Sequence, residues 1–253
     1  MYDVFCYGAI SLDVSGRPER PFKVYEQATA IDYHMSPGGD AALVAITLSG
    51  LGLGAALSGS PVGDDPMGEY VLRSLEKEGV KVLVPKVGKT AVAAIVIDGH
   101  RRSTITFHDN TPEAEIPIPL DALLSSKYVY VDGYFGRNGA IIAKMARPKG
   151  IGTLLNLDVP SVPGIGLFDT VIANEAASKL ISPEPVDAAR KLHAMNKGLA
   201  IVTLGEDGCV CCDAAQNALG YRLLKVPAFK VDAVDTTGAG AAFAAGFIYS
   251  ELG

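Results

Sequence analysis

Only four cysteines and four histidines occur in 253 residues, and nothing in their placement suggests a metal centre. Cys6 stands alone, while Cys209, Cys211 and Cys212 crowd into "GCVCCDA", too tightly for the paired CxxC spacing of a zinc site. They read as reduced strand residues of a cytoplasmic protein. His34, His100, His108 and His193 share no ligand spacing and read as surface or lid residues. Lysine and arginine are outnumbered 22 to 28 by aspartate and glutamate, for a net charge of −6, and form no basic run. That absence argues against nucleic acid and anionic membranes as partners. The opening "YDVFCYGAISLDV" lacks a basic leader, is too short to span a bilayer and reads as a buried strand, so no export is expected. Internal repeats, low-complexity tracts and long linkers are also missing.

What is present is apolar: 49% of the residues are hydrophobic, enough for one large domain over residues 1–253 with a small appendage. Helical periodicity marks 42–52, 68–79, 138–147, 185–198 and 241–252. Between them "GAALSGSPV", "KYVYVDG", "GTLLNLDV", "DTVIAN" and "LAIVTLG" are short, nearly continuous apolar runs, as in strands covered on both faces. The alternation predicts an α/β fold with a mostly parallel sheet between helix layers. Two segments break the rhythm, 17–35 and 90–110; the second alternates polar and apolar residues around the hairpin dipeptide Asp98-Gly99. They predict a small β-sheet lid over an active site, with an edge extension or a dimer surface as the alternatives.

Near the end, "DTTGAGAAFAAGF" (235–247) follows an extended segment and opens a helix. Such a turn points backbone amides and the positive end of a helix dipole at an anion. With "PGGDAALVAITLSGLG" (37–52), "SPVGDDPMGEYVLRSLEKEGV" (60–80), "VIANE" (171–175) and "VTLGEDGC" (202–209), it resembles the ribokinase-like (PfkB) family of carbohydrate kinases along the whole chain. The resemblance implies a three-layer α/β fold with a β-lid. It also implies transfer of the γ-phosphate of ATP, with Mg²⁺, to a hydroxyl of a sugar, sugar acid or nucleoside, and a homodimer formed through the lid.

By the same resemblance, Asp13, Gly38, Gly39, Asp40 and Gly133 would hold the substrate. Leu43 stands where many relatives carry a sugar-binding asparagine. Asn174, Thr203, Gly205 and Gly208 would hold the nucleotide, but Ala177 replaces the glutamate that would organise Mg²⁺. Asp235 and the loop after it would hold a monovalent cation such as K⁺. Gly238, Ala239 and Gly240 would form the anion hole, and position 241, an aspartate acting as general base in relatives, is Ala241. Alanine preserves the helix and accepts no proton. The expectation is therefore a kinase scaffold with impaired turnover, the alternatives being a non-catalytic sugar- or nucleotide-binding module and a nucleoside kinase. Asp64 and Asp65 match a turn that caps the next helix. Arg101 and Arg102 could meet an acidic substrate. Relatives continue beyond the equivalent of Gly253 with segments that sandwich the adenine, so part of the base pocket is expected to be absent and an apolar patch exposed.

Overall fold

The computed structural model describes residues 1–21, 26–98, 101–108, 111–216, 218–232 and 236–253, without the side chains of Asp98, Arg101 and Arg102. The strands are β1 (Tyr2–Gly8), β2 (Ser11–Pro18), β3 (Ala30–Gly38), β4 (Ala55–Gly59), β5 (Lys81–Val82), β6 (Val92–Asp98) and β7 (Arg101–Phe107), then β8 (Ser126–Asp132), β9 (Gly152–Leu157), β10 (Thr170–Ala173), β11 (Leu199–Thr203), β12 (Cys209–Ala214) and β13 (Tyr221–Val226). The helices are α1 (Asp40–Gly50), α2 (Pro66–Lys77), α3 (Leu120–Leu124), α4 (Gly136–Ala146), α5 (Glu175–Ile181), α6 (Pro185–Asn196) and α7 (Ala239–Leu252).

Among the described residues the large sheet has nine strands, ordered β13-β12-β11-β10-β9-β8-β1-β4-β5. It is parallel from β5 to β11, and β12 and β13 extend it antiparallel. Apolar side chains on alternate faces of these strands build two cores. One packs Phe5, Val129 and Leu155 against α4, α5 and α6; the other packs Val4, Tyr130 and Leu154 against α1, α2 and α7. Helix α7 buries Ala241, Ala244, Ala245 and Ile248, a stripe at helical spacing. Asp65 caps α2 by accepting the Gly68 amide at 2.8 Å, and also accepts the amide and hydroxyl of Thr90. These bonds hold the Asp65 carboxyl below its ordinary range.

The opening apolar run is not one strand. It bends at Ala9-Ile10, and its second half becomes β2 of a separate sheet ordered β3-β2-β6-β7. The two segments that break the βαβ rhythm thus meet in one sheet, whose first strand starts at Ser11 rather than at residue 17. Gly99 and His100 lie outside the described residues.

Candidate active site

A cavity of about 820 Å³ lies between the small sheet and the carboxyl ends of β1, β8 and β9, where open α/β sheets collect ligands. Its lining includes Asp13, Gly39, Asp40, Leu43, Asp132, Asp158, Thr237 and Gly238, and the small sheet adds Ala93, Thr104 and Thr106. His108 lines it from the residue after β7. His34 is exposed on β3, and the His193 ring bonds the Gly198 carbonyl at 2.7 Å, away from the cavity.

Asp13 projects from β2 with Ser11 Oγ donating to its Oδ1 at 2.8 Å. A side chain at Gly38 would collide with the Asp13 carboxylate, and one at Gly39 with the Ala9 carbonyl. Gly39 also has φ 90°, a conformation open to glycine. The double glycine is thus required by the protein's own packing, before any ligand arrives. Asp40 opens α1 and accepts Asn156 Nδ2 at 3.3 Å. Gly133 does not line the cavity; a Cβ there would stand 2.7 Å from the Asn156 carbonyl, so glycine lets the end of β8 pass β9.

Two acids outside the family-like motifs complete this wall. Asp132, fully buried at the end of β8, accepts the amides of Ala9 and Tyr134, both at 3.0 Å. Asp158, just after β9, accepts Asn174 Nδ2 at 2.9 Å. Burial, and then the charge of Asp40, pushes each of their carboxyls up to about 7. Their sequence signal was an acid at the carboxyl end of a buried strand, in "KYVYVDG" and "GTLLNLDV".

At the opposite end, Gly238 caps α7 in the left-handed conformation, φ 77°, within reach of the Leu43 side chain. The Ala239 amide, assigned to the anion from the sequence, donates to the Thr236 carbonyl at 3.2 Å. Gly240 and Ala241 occupy the first turn, where a helix offers its amides no acceptor four residues back. Ala241 is 4% exposed and belongs to the core that contains α1.

The four residues assigned to the nucleotide lie outside this cavity, at the ends of β10 and β11. Asn174 caps α5, its Oδ1 accepting the Ala177 amide at 2.8 Å. Leu204 N–H meets the Gly208 carbonyl at 2.8 Å, folding Thr203 through Gly208 into a tight turn. Around Gly205 (φ 58°) a Cβ would meet no atom within 4 Å, whereas at Gly208 it would strike the Val226 carbonyl. Ala177 is buried in the core, so position 177 offers a metal ion no ligand. Among the described residues no three His, Cys, Asp or Glu side chains are arranged for a metal, and Asp235 lies outside them.

A mostly parallel sheet between helix layers, a small second sheet over its carboxyl ends and a glycine turn opening the last helix define the ribokinase-like α/β fold. The chain belongs to the pfkB family carbohydrate kinases, whose family model matches residues 1–252. It is 30% identical to an ATP-dependent ribose-1-phosphate kinase of Halopiger xanaduensis, over 100% of this chain and 86% of that protein. An adenosine kinase of Schizophyllum commune is also 30% identical, over 74% of this chain and 64% of its own length. The crystal structure of adenosine kinase from Sinorhizobium meliloti superposes with a TM-score of 0.81 at 24% identity, covering 99% of this chain and 88% of the other, a likeness of fold.

Proposed function

We propose that the chain is an ATP-dependent phosphotransferase acting on a hydroxyl of a sugar or sugar-like substrate, with turnover slowed by alanine at position 241. The observation that carries this reading is that one cavity joins the Asp13–Gly39–Asp40 wall to Thr237 and Gly238 at the amino terminus of α7. A polyhydroxy ligand would donate hydrogen bonds to the carboxylates while its reacting hydroxyl faced the helix terminus. There the Gly240 and Ala241 amides and the helix dipole would stabilise charge on the phosphoryl group in transfer. The nucleotide would extend over the Thr203–Gly208 turn and Asn174. Mg²⁺ would travel on the triphosphate, its usual mode in kinases, since position 177 supplies no carboxylate; K⁺ beside Asp235 belongs to the same reading.

With a methyl group at 241, no side chain at that position takes the hydroxyl proton. A non-catalytic sugar- or nucleotide-binding module is therefore the second reading, favoured by the alanines at 177 and 241. Nucleoside phosphorylation is a variant of the first, supported by the adenosine kinase relative. The small sheet would act as the lid of this single domain. Ile31, Tyr33, Ile105 and Phe107 expose more than half their surface, and Ile105 and Phe107 alternate with the cavity-lining Thr104 and Thr106. We assign this outer face to a homodimer. The four cysteines are free, which suits the cytoplasm, and among the described residues no helix is long and apolar enough to cross a membrane.

The test is a calorimetric binding screen of sugars, sugar acids and nucleosides with and without ATP and Mg²⁺, followed by ADP release. Sugar-dependent ADP release supports the kinase; saturable sugar binding with no release at any enzyme concentration supports the binding module.

A further inference from the structure

We infer that the wall of the cavity formed by Asp40 and Asp158 is a subsite for a protonated amine, so that the preferred substrate is an amino sugar or comparable cationic polyol. The inference rests on the sugar-binding reading of the cavity and narrows its substrate class. Asp40 and Asp158 both line the cavity, and Asp132 stands beside them. The hydroxyl of Tyr130 is buried without a hydrogen-bond partner within the protein, and Asp158 Oδ2 meets no donor other than a proton it would share with Asp40. Tyr130, fully buried, lies two residues before Asp132 on the same face of β8. Burial, then the charges of Asp132, Asp40 and Asp158, hold its hydroxyl well above the ordinary range, so it lies near these acids, though Tyr130 does not itself line the cavity.

With the Asp158 carboxyl raised to about 7, Asp158 and Asp40 share a proton in the empty cavity, and once it leaves the two carboxylates only accept hydrogen bonds and repel. A neutral hydroxyl brings one donor and no charge. An ammonium group brings three donors and the opposite charge, replacing repulsion by charge-assisted bonds to Asp40 and Asp158. A bare metal ion is the poorer occupant, since the described residues present no three-ligand set. The cavity also carries Asp13 and Glu113, with the basic residues Lys89 and His108 beside the ends of β6 and β7. Acids thus outnumber bases on the lining, which opposes an anionic substituent at this wall.

Isothermal titration near neutral pH would compare glucosamine, galactosamine, mannosamine and kanosamine with their parent hexoses. At least one amino sugar should bind about tenfold tighter than its parent. N-acetylation, which removes the charge, should abolish the advantage, as should Asp158→Asn and Asp40→Asn. Thermal melting confirms that each variant is folded. The inference falls if no amino sugar is preferred, or if the preference survives both substitutions. ADP release on the same pairs separates this from the kinase reading: parent hexoses that turn over with no amine preference sink the inference alone, and an amino sugar that binds tightly without turnover sinks the kinase reading alone.

Discussion

The two ends of the cavity are built from different materials. The wall proposed to hold the substrate consists of side chains, with Asp13, Asp40, Asp132 and Asp158 converging from four different elements or their edges. The end proposed to take the phosphate consists of backbone, the turn at Thr237 and Gly238 and the first amides of α7. The difference teaches how each end responds to substitution. A backbone device depends on glycine conformations and helix geometry, so alanine at 241 leaves it standing, buried against the core. A side-chain device is lost with the side chain. The proposed impairment therefore falls on proton transfer rather than on phosphate recognition.

The sharpest way to test that contrast is to restore an acid at the backbone end. Ala241→Asp should raise turnover by about 10²–10⁴-fold, the usual contribution of a positioned general base, with little change in sugar affinity. The gain should fade as pH drops through the carboxylate range, because only the ionised form takes the proton. ADP release by the matched pair measures it, and equal brisk rates would show that another group is the base.

On the side-chain wall, Asp13→Asn should weaken sugar binding by about 10–100-fold, through loss of hydrogen bonds to a charged acceptor. Calorimetry with the tightest sugar from the screen measures this. The same variant should leave the phosphate end untouched: inorganic phosphate should shift the Gly240 and Ala241 amide resonances equally in parent and variant. Loss of those shifts on changing Asp13 would break the separation between the two ends.

The smallest expected effect is on stability. The Asp158 carboxyl is raised from 3.8 to about 7, so its contribution is fully present below its unfolded value and is lost as pH rises toward 7. Asp158→Asn removes that loss while keeping an acceptor for Asn174 and adding a donor toward Asp40. Its melting temperature should exceed the parent's at about pH 8, and the gap should close as pH falls toward about 4. A constant gap across that range would mean that Asp158 is not held protonated by burial and the charge of Asp40.

Local patterns account for much of this molecule. The apolar runs at 54–62, 127–133, 152–159, 169–174 and 199–205 became β4, β8, β9, β10 and β11, because strands covered on both faces need little besides apolar side chains. The helical periods became α1, α2, α4, α6 and α7 within two residues at each start, because one side of each helix must be buried. The cap on α2 was legible from Asp65-Pro66, a local hydrogen-bonding signal. Helix α5 leaves no separate periodic signal, since seven residues span too few turns for one to stand out.

Tertiary structure alone decided the rest. Hydropathy cannot show that the chain turns between Gly8 and Ser11 and passes from one sheet to the other, because both halves are apolar and extended. Nor can it show that Gly38 is small to admit the Asp13 carboxylate, or that Gly39 must clear the Ala9 carbonyl; both contacts join residues some 25–30 apart in the chain. Asp132 and Asp158 acquire their raised protonation from burial and from Asp40, on separate elements. The sequence determined the elements and the chemical types at their ends. Which acids face one another, and hence the charge of the cavity, followed from packing, because Coulomb energies depend on distances in space that the order of residues does not contain.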